Sequence, residues 1–226
     1  MRICFDGFEN PIELRWARPF VLEVHNRALF ARVCDSLVSC YGEDACEAYS
    51  IWDGEREVRP RSAFLVVPDA LNLPWESKDL GGRLYSLLQE RQLEDEAIRG
   101  LFDSRFRELR GLVSQLLVQL EGDYRFGLEW DLQRFLKAFG FTVDFDQGAA
   151  FIDRLILFLD CCADMQVNKA LLFVNLKTFL TEKEVARFYE RVLFHELRVL
   201  MLENDADMNS YALEDKMVVD QHFLES

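Results

Sequence analysis

Apolar and polar positions follow two different rhythms along this chain. In residues 1–76 and 169–226 the apolar residues alternate or come in short runs broken by turn residues, as strands do. "ICFDGF" and "PIELRW" predict two short strands around a turn at Asn10-Pro11, and "PFVLEVH" a more buried one. Asn26 is placed to cap a helix from Arg27 to about Tyr41, with Gly42 as its stop. "EAYSIWDGEREVRP" predicts a hairpin turning at Asp53-Gly54, and "AFLVVPD" a strand ended by Pro68. Further on, "ALLFVNL" (170–176) is a continuous apolar run, as expected of a strand covered on both faces. Thr181-Glu182-Lys183-Glu184 matches a capping box, and Val185, Phe188, Tyr189, Val192, Leu193 and Leu197 continue the helix it starts. "RVLMLEND" (198–205) and "DKMVVD" (215–220) predict two more strands.

From Ser77 to about Leu120 the spacing becomes three and four, which predicts two helices or one bent helix. A further helix fits Leu128 to Phe139, stopped by Gly140, and another fits Ala149 to about Met165. The expected architecture is therefore α/β: a sheet head from 1–76 and 169–226, interrupted by an all-helical subdomain or leg over 77–168. Strand, capped helix, strand at 170–203 is a βαβ unit, so part of that sheet is parallel.

Half the 226 residues are hydrophobic and 13% are aromatic, enough for a sizeable core. No apolar stretch reaches the ~18 residues of a membrane helix, and "MRICFDGFENPIEL" lacks a signal-peptide core, so a cytoplasmic location is the default. None of the six cysteines forms a C-x-x-C pair, which gives a structural zinc site no support. The net charge of −14 argues against a generic nucleic-acid binder. No segment is basic in bulk: residues 77–146 hold 10 basic against 13 acidic side chains. Any contact with DNA must use a local patch.

Glu203, at the end of "RVLMLE", stands where a nucleotide hydrolase often holds magnesium. Such an enzyme also needs G-x-x-x-x-G-K-[ST] between a strand and a helix, so that backbone amides and a lysine surround the phosphates. After "VLEVH" the chain has "NRALFARV", without glycine or lysine. No nucleotide is expected. His25, His195 and His222 are scattered, and no G-x-S-x-G elbow exists. Two carboxylate groups could suit a hard cation. One is Glu203, Asp205 and Asp207; the other is Glu121, Asp123, Glu129 and Asp131, with Asp144 and Asp146 beyond. The same acids also suit helix starts and solvent.

"NKALLFVNLKTFLTEKEVARFYERVLFHELRVLMLEND", followed by "DKMVVDQHFLES", resembles the type II-A CRISPR-associated adaptation proteins, the Csn-two family. "FENPIEL", "PFVLEVHNRALF" and, more loosely, "LEWDLQRFLKAFGF" agree with it. The resemblance implies a degenerate phosphate-loop-like head that has lost the loop, and no catalytic activity. It implies a homotetrameric ring that binds double-stranded DNA ends without sequence preference. It also implies calcium near the junction of head and leg, with Glu121, Asp123, Glu129, Asp131, Asp144 and Asp146 as the candidate ligands. The expected role is acquisition of new spacers beside the integrase pair and the RNA-guided effector nuclease. Lys137 and Lys177 lie in matched motifs and are candidate DNA contacts; Arg15, Arg18, Arg125 and Arg134 join them from clustering alone. Two features depart from the family. The aspartate-rich ending is reduced to Asp220 and Glu225, and basic side chains are few. A metal-dependent nuclease and an acidic protein-interaction module that never touches DNA stand as alternatives.

Overall fold

The short apolar runs pair into two sheets. A computed structural model describes the chain apart from residues 76, 126–128, 206, 208 and 210 and the side chains of Lys78 and Asp79. β1 (Arg2–Phe5) lies between β2 (Ile12–Glu13) and β4 (Tyr49–Asp53), and β4 turns back into β5 (Arg56–Glu57), all antiparallel. Gly54 takes φ 65° in that turn, a left-handed conformation that glycine adopts without steric cost. The larger sheet is parallel, in the order β6 (Phe64–Val67), β7 (Ala170–Val174), β8 (Val199–Glu203), β3 (Phe20–Val24) and β9 (Asp215–Val219).

The central strands of the parallel sheet are buried on both faces, which is why they read as continuous apolar runs. Phe20, Leu22, Leu172, Leu200 and Leu202 share one core with Leu29, Val33 and Leu37 of α1 (Arg27–Ser39) and with Ile3, Tyr49 and Ile51 of the antiparallel sheet. On the other face Phe173 meets Phe188 of α7 (Glu182–Phe194) edge-on, with ring centroids 5.8 Å apart. The capping box at Thr181 and Glu184 is formed as expected. Helix α1 stops two residues earlier than its glycine predicts: Cys40 takes the left-handed position at φ 55° and Gly42 opens a short 3-10 turn.

The chain divides into two compact units, Met1–Trp75 with Phe145–Ser226, and Glu76–Asp144. The sequence places 145–168 in the helical segment, whereas here it groups with the sheets. The cause is α6 (Phe151–Asp164), which packs beside α7 and buries Ile152, Leu155, Phe158, Leu159 and Cys162. Arg191 of α7 grips Asp160 of α6 with two bonds, one of 2.7 Å through Nη2. A 3.6-residue period reads alike in a helix that covers a sheet and in one that packs on other helices.

The second unit contains α3 (Lys78–Glu94), α4 (Glu96–Leu117) and α5 (Leu132–Ala138). The long periodic stretch is two helices: Asp95 ends α3 and caps α4, its Oδ1 accepting the N–H groups of Ala97 and Ile98. Asp131 caps α5, which begins later than its periodicity predicts; Leu128 lies outside the described residues. No helix among the described residues is long and apolar enough to cross a membrane.

Candidate functional site

The carboxyl ends of β3, β7 and β8 gather the polar residues of the head. Ligands of open parallel sheets bind at such an edge. Here the edge is occupied by the protein's own side chains. Asn26 accepts hydrogen bonds from the N–H groups of Ala28 at 3.1 Å and Leu29 at 3.0 Å, taking the amides at the start of α1 that a phosphate would need. Glu203 is 3% exposed, and its Oε1 accepts the backbone N–H of Lys177 at 3.0 Å. Burial pushes the Glu203 carboxyl up to about 7, against the opposing pull of the Lys177 amide and ammonium.

Around it lies a closed charge network. Lys177 Nζ donates to Asp207 at 2.8 Å and to Glu214 at 2.9 Å, and rests 5.0 Å from the centroid of the Tyr211 ring. Tyr189 donates its hydroxyl to the same Glu214 carboxylate. Burial would lower the Lys177 ammonium, but the Asp207 and Glu214 carboxylates outweigh it and hold it above its ordinary value. Glu23, 2% exposed, accepts from Lys216 and faces His25 at 2.6 Å. Burial alone would raise Glu23, yet Lys216 and His25 bring it below the usual carboxylate range. Sequence reading missed Glu23, Lys216 and Glu214. The available signal was a glutamate inside "FVLEV", a strand otherwise made of buried apolar residues.

The hollow beside this network, about 200 Å³, is lined by Glu182, Glu203, Asp205 and Asp207 among others. That acid rim repels a polyphosphate. A larger hollow of about 540 Å³ lies away from this edge, at the start of β8, lined by Trp16, Ala17, His195 and Glu196 among others.

The candidate DNA contacts divide. Lys177 has a 9% exposed side chain held by two carboxylates, so this ammonium is a core group and not one offered to phosphates. Arg15 and Arg18 lie together on the head, both beside Asp215, at 3.6 Å and 2.6 Å. Arg125, Arg134 and Lys137 are exposed in the helical unit. Arg134 also pairs with Asp131 at 3.4 Å, and Lys137 Nζ lies 5.7 Å from the Tyr85 ring centroid.

The expected calcium ligands are not brought together. Glu121, Asp123, Glu129 and Asp144 are exposed in the helical unit, while Asp146 belongs to the head unit. Asp131 already caps α5, and Asp146 Oδ1 accepts the N–H of Gly148 at 2.8 Å. Among the described residues no three His, Cys, Asp or Glu side chains form a group that could hold a metal ion. The donor chemistry suits calcium, but the placement of these residues within one chain does not fit it.

A family model described as CRISPR-associated protein (Cas_Csn2) matches residues 42–223. The chain belongs to the Csn2 family. The CRISPR-associated protein Csn2 of Enterococcus faecalis is 25% identical over 226 residues, covering 99% of this chain and 97% of that protein. The crystal structure of Stu0660 of Streptococcus thermophilus superposes with a TM-score of 0.59 at 16% identity, over 97% of this chain and 74% of that one. At that identity the likeness concerns the fold alone; this chain's own fold is a mixed α/β one, with a parallel sheet and a helical region. It agrees with the α/β architecture expected from the sequence.

Proposed function

We propose that this Csn2-family chain serves CRISPR spacer acquisition as a non-catalytic clamp, a homotetrameric ring that holds double-stranded DNA ends. Its head is a phosphate-loop-like sheet whose nucleotide site has been filled by Asn26, Glu203 and Lys177. Its partners are the integrase pair and the RNA-guided effector nuclease.

The observation that carries the assembly is α4. None of its 22 residues is buried, and Leu101, Leu109, Leu112 and Leu116 are 62%, 54%, 60% and 75% exposed. These leucines recur at spacings that put them along one stripe, and monomers rarely leave such stripes in water. A ring also reconciles DNA binding with a net charge of −14. A few exposed cations per subunit, repeated by symmetry, give a basic lining, while the acidic exterior keeps DNA from binding outside.

A closed ring can load a duplex only from a terminus. Linear fragments should therefore shift in a gel, relaxed closed circles of the same length should not, and light scattering should give a tetramer. Equal binding to both DNA forms would overturn the threading, and degradation of the linear fragment would favour a nuclease.

A further inference from the structure

Two helices of the head end at the same hollow. Its volume is about 540 Å³, and it is lined by Gln166 just past α6, by His195 and Glu196 just past α7, and by Trp16 and Ala17. Trp16 and Ala17 form the tip of a tight turn between Arg15 and Arg18. That turn is tied down, since the N–H of Ala17 donates to the carbonyl of Leu197 at 3.0 Å. Among the described residues six other than glycine take a left-handed φ. Three of them line this one hollow: Ala17 at 63°, Gln166 at 52° and Glu196 at 51°. Such positions strain a residue that has a side chain, and they gather at functional sites.

The charge around the hollow is negative. Helices α6 and α7, of 14 and 13 residues, bring the negative ends of their dipoles to it. Glu196 is exposed, and its carboxylate has no hydrogen-bond or ion-pair partner among the described residues. Glycine would take the same backbone conformation at less cost, so what the glutamate adds is its carboxylate. The cations nearby are already engaged. Arg191 binds Asp160, and His195 faces the same carboxylate at 2.8 Å. Arg198 pairs with Asp53 at 3.3 Å, and its guanidinium carbon lies 3.9 Å from the centroid of the Trp16 ring. Trp16 is still 46% exposed, so the indole keeps ring surface beyond what Arg198 covers.

We propose that this hollow receives an arginine side chain of a protein partner that itself handles nucleic acid. The guanidinium stacks on the uncovered part of Trp16, as that of Arg198 already does, and donates to the Glu196 carboxylate. Arginine suits the site better than lysine because its planar fork stacks on a ring and sheds water more readily. Tryptophan and arginine are also the side chains that most often anchor an interface. Proteins that work on DNA are commonly basic, and a chain of net charge −14 attracts them over distance. The same charges repel phosphate, so this face of the head meets protein and not DNA. The inference stands apart from the clamp reading, since it needs neither a ring nor a DNA end.

The test uses the full chain and a fluorescein-labelled pentapeptide with arginine at its centre and glycine and serine around it. Its counterpart carries citrulline, the neutral isostere of arginine. Binding is followed by anisotropy. We expect the arginine peptide to bind at least about tenfold more tightly than the citrulline peptide. Glu196→Gln and Trp16→Ala should each weaken it about fivefold or more, while Trp16→Tyr keeps most of the affinity. Glu43→Gln removes an exposed acid beside a different hollow and should change nothing. Trp16→Ala also removes the contact with Arg198, so Glu196→Gln, of the same size and backbone, carries the decision; its melting temperature should match the wild type. Equal binding of the two peptides, binding of neither, or an unchanged affinity in Glu196→Gln overturns the inference. So does an equal loss in Glu43→Gln and Glu196→Gln, which would mean that the acidic surface attracts the peptide everywhere alike.

Discussion

Glu203 Oε1 accepts the backbone N–H of Lys177 at 3.0 Å, so the acid that ends β8 ties down the loop leaving β7. A nucleotide hydrolase would aim such an acid at a metal ion. Here it is 3% exposed and faces its own chain.

Stability should therefore depend on pH through Glu203. Its folded value of about 7 lies above the ordinary 4.5, so the folded state holds a proton that the unfolded state releases. The stabilisation is complete below about pH 4.5 and lost as pH rises through about 7. Glu203→Gln removes the titration while keeping an acceptor for Lys177. Relative to the wild type, the variant should gain up to about 3 kcal/mol between pH 5 and pH 8 in denaturant titrations. A difference that stays flat across that range would contradict the assignment.

Lys177→Ala should be severely destabilising, by about 3–5 kcal/mol, because it leaves the Asp207 and Glu214 carboxylates buried without their cation. Lys137→Ala, at an exposed site, should change stability by no more than about 0.5 kcal/mol. Comparable melting temperatures for the two variants would show that the network does not hold the head together. Any loss of DNA binding in Lys177→Ala is then to be read together with its folded fraction.

ATP and GTP should not be turned over. Asn26 already satisfies the amides at the start of α1, and acids rim the neighbouring hollow. Phosphate release should equal that of a protein-free blank. Release above the blank that disappears in Glu203→Gln would contradict this.

Three helices end in the same way with different residues in the left-handed position. After α5 it is Gly140 at φ 65°, after α6 it is Gln166 at φ 52°, and after α7 it is Glu196 at φ 51°. In each, the next N–H returns to the last turn, as that of Leu197 does to the carbonyl of Val192 at 3.0 Å. A side chain in this conformation costs about 1 kcal/mol relative to glycine. Glu196→Gly should therefore stabilise the protein by about 0.5–1 kcal/mol, and Gly140→Ala should destabilise it by a similar amount, since a Cβ at 140 meets nothing within 4 Å. A lower melting temperature for Glu196→Gly would give that glutamate a role beyond capping.

The βαβ unit was plain in the sequence because its signals agree. An apolar run, a capping box at Thr181 and a second apolar run ending at Glu203 allow one arrangement. The boundary of the helical unit was hidden, since nothing local marks whether α6 covers a sheet or another helix. Lys177 was misjudged for a related reason. It lies in a loop sequence that reads as surface, and the carboxylates that bury it, Asp207 and Glu214, are 30 and 37 residues away. The phosphate loop could be judged from sequence because it requires particular residues at fixed spacing. An ion pair that closes only in three dimensions has no such spacing.

The leucine stripe on α4 gives the sharpest test of assembly. Leu112 and Leu116 are 60% and 75% exposed, so replacing both by glutamate should leave the fold of a single chain almost unchanged. If copies pack through this stripe, each leucine loses about 1.5–3 kcal/mol of burial and each glutamate adds a desolvated charge. The dissociation constant of the assembly should rise at least about a hundredfold. Light scattering should then report a species smaller than the wild type at the same concentration, with circular dichroism and melting little altered. End-dependent DNA binding should fall with it, since an open assembly cannot hold a threaded duplex. A variant that stays tetrameric would place the contact elsewhere. One that becomes monomeric yet still distinguishes linear from circular DNA would show that end recognition does not need a ring.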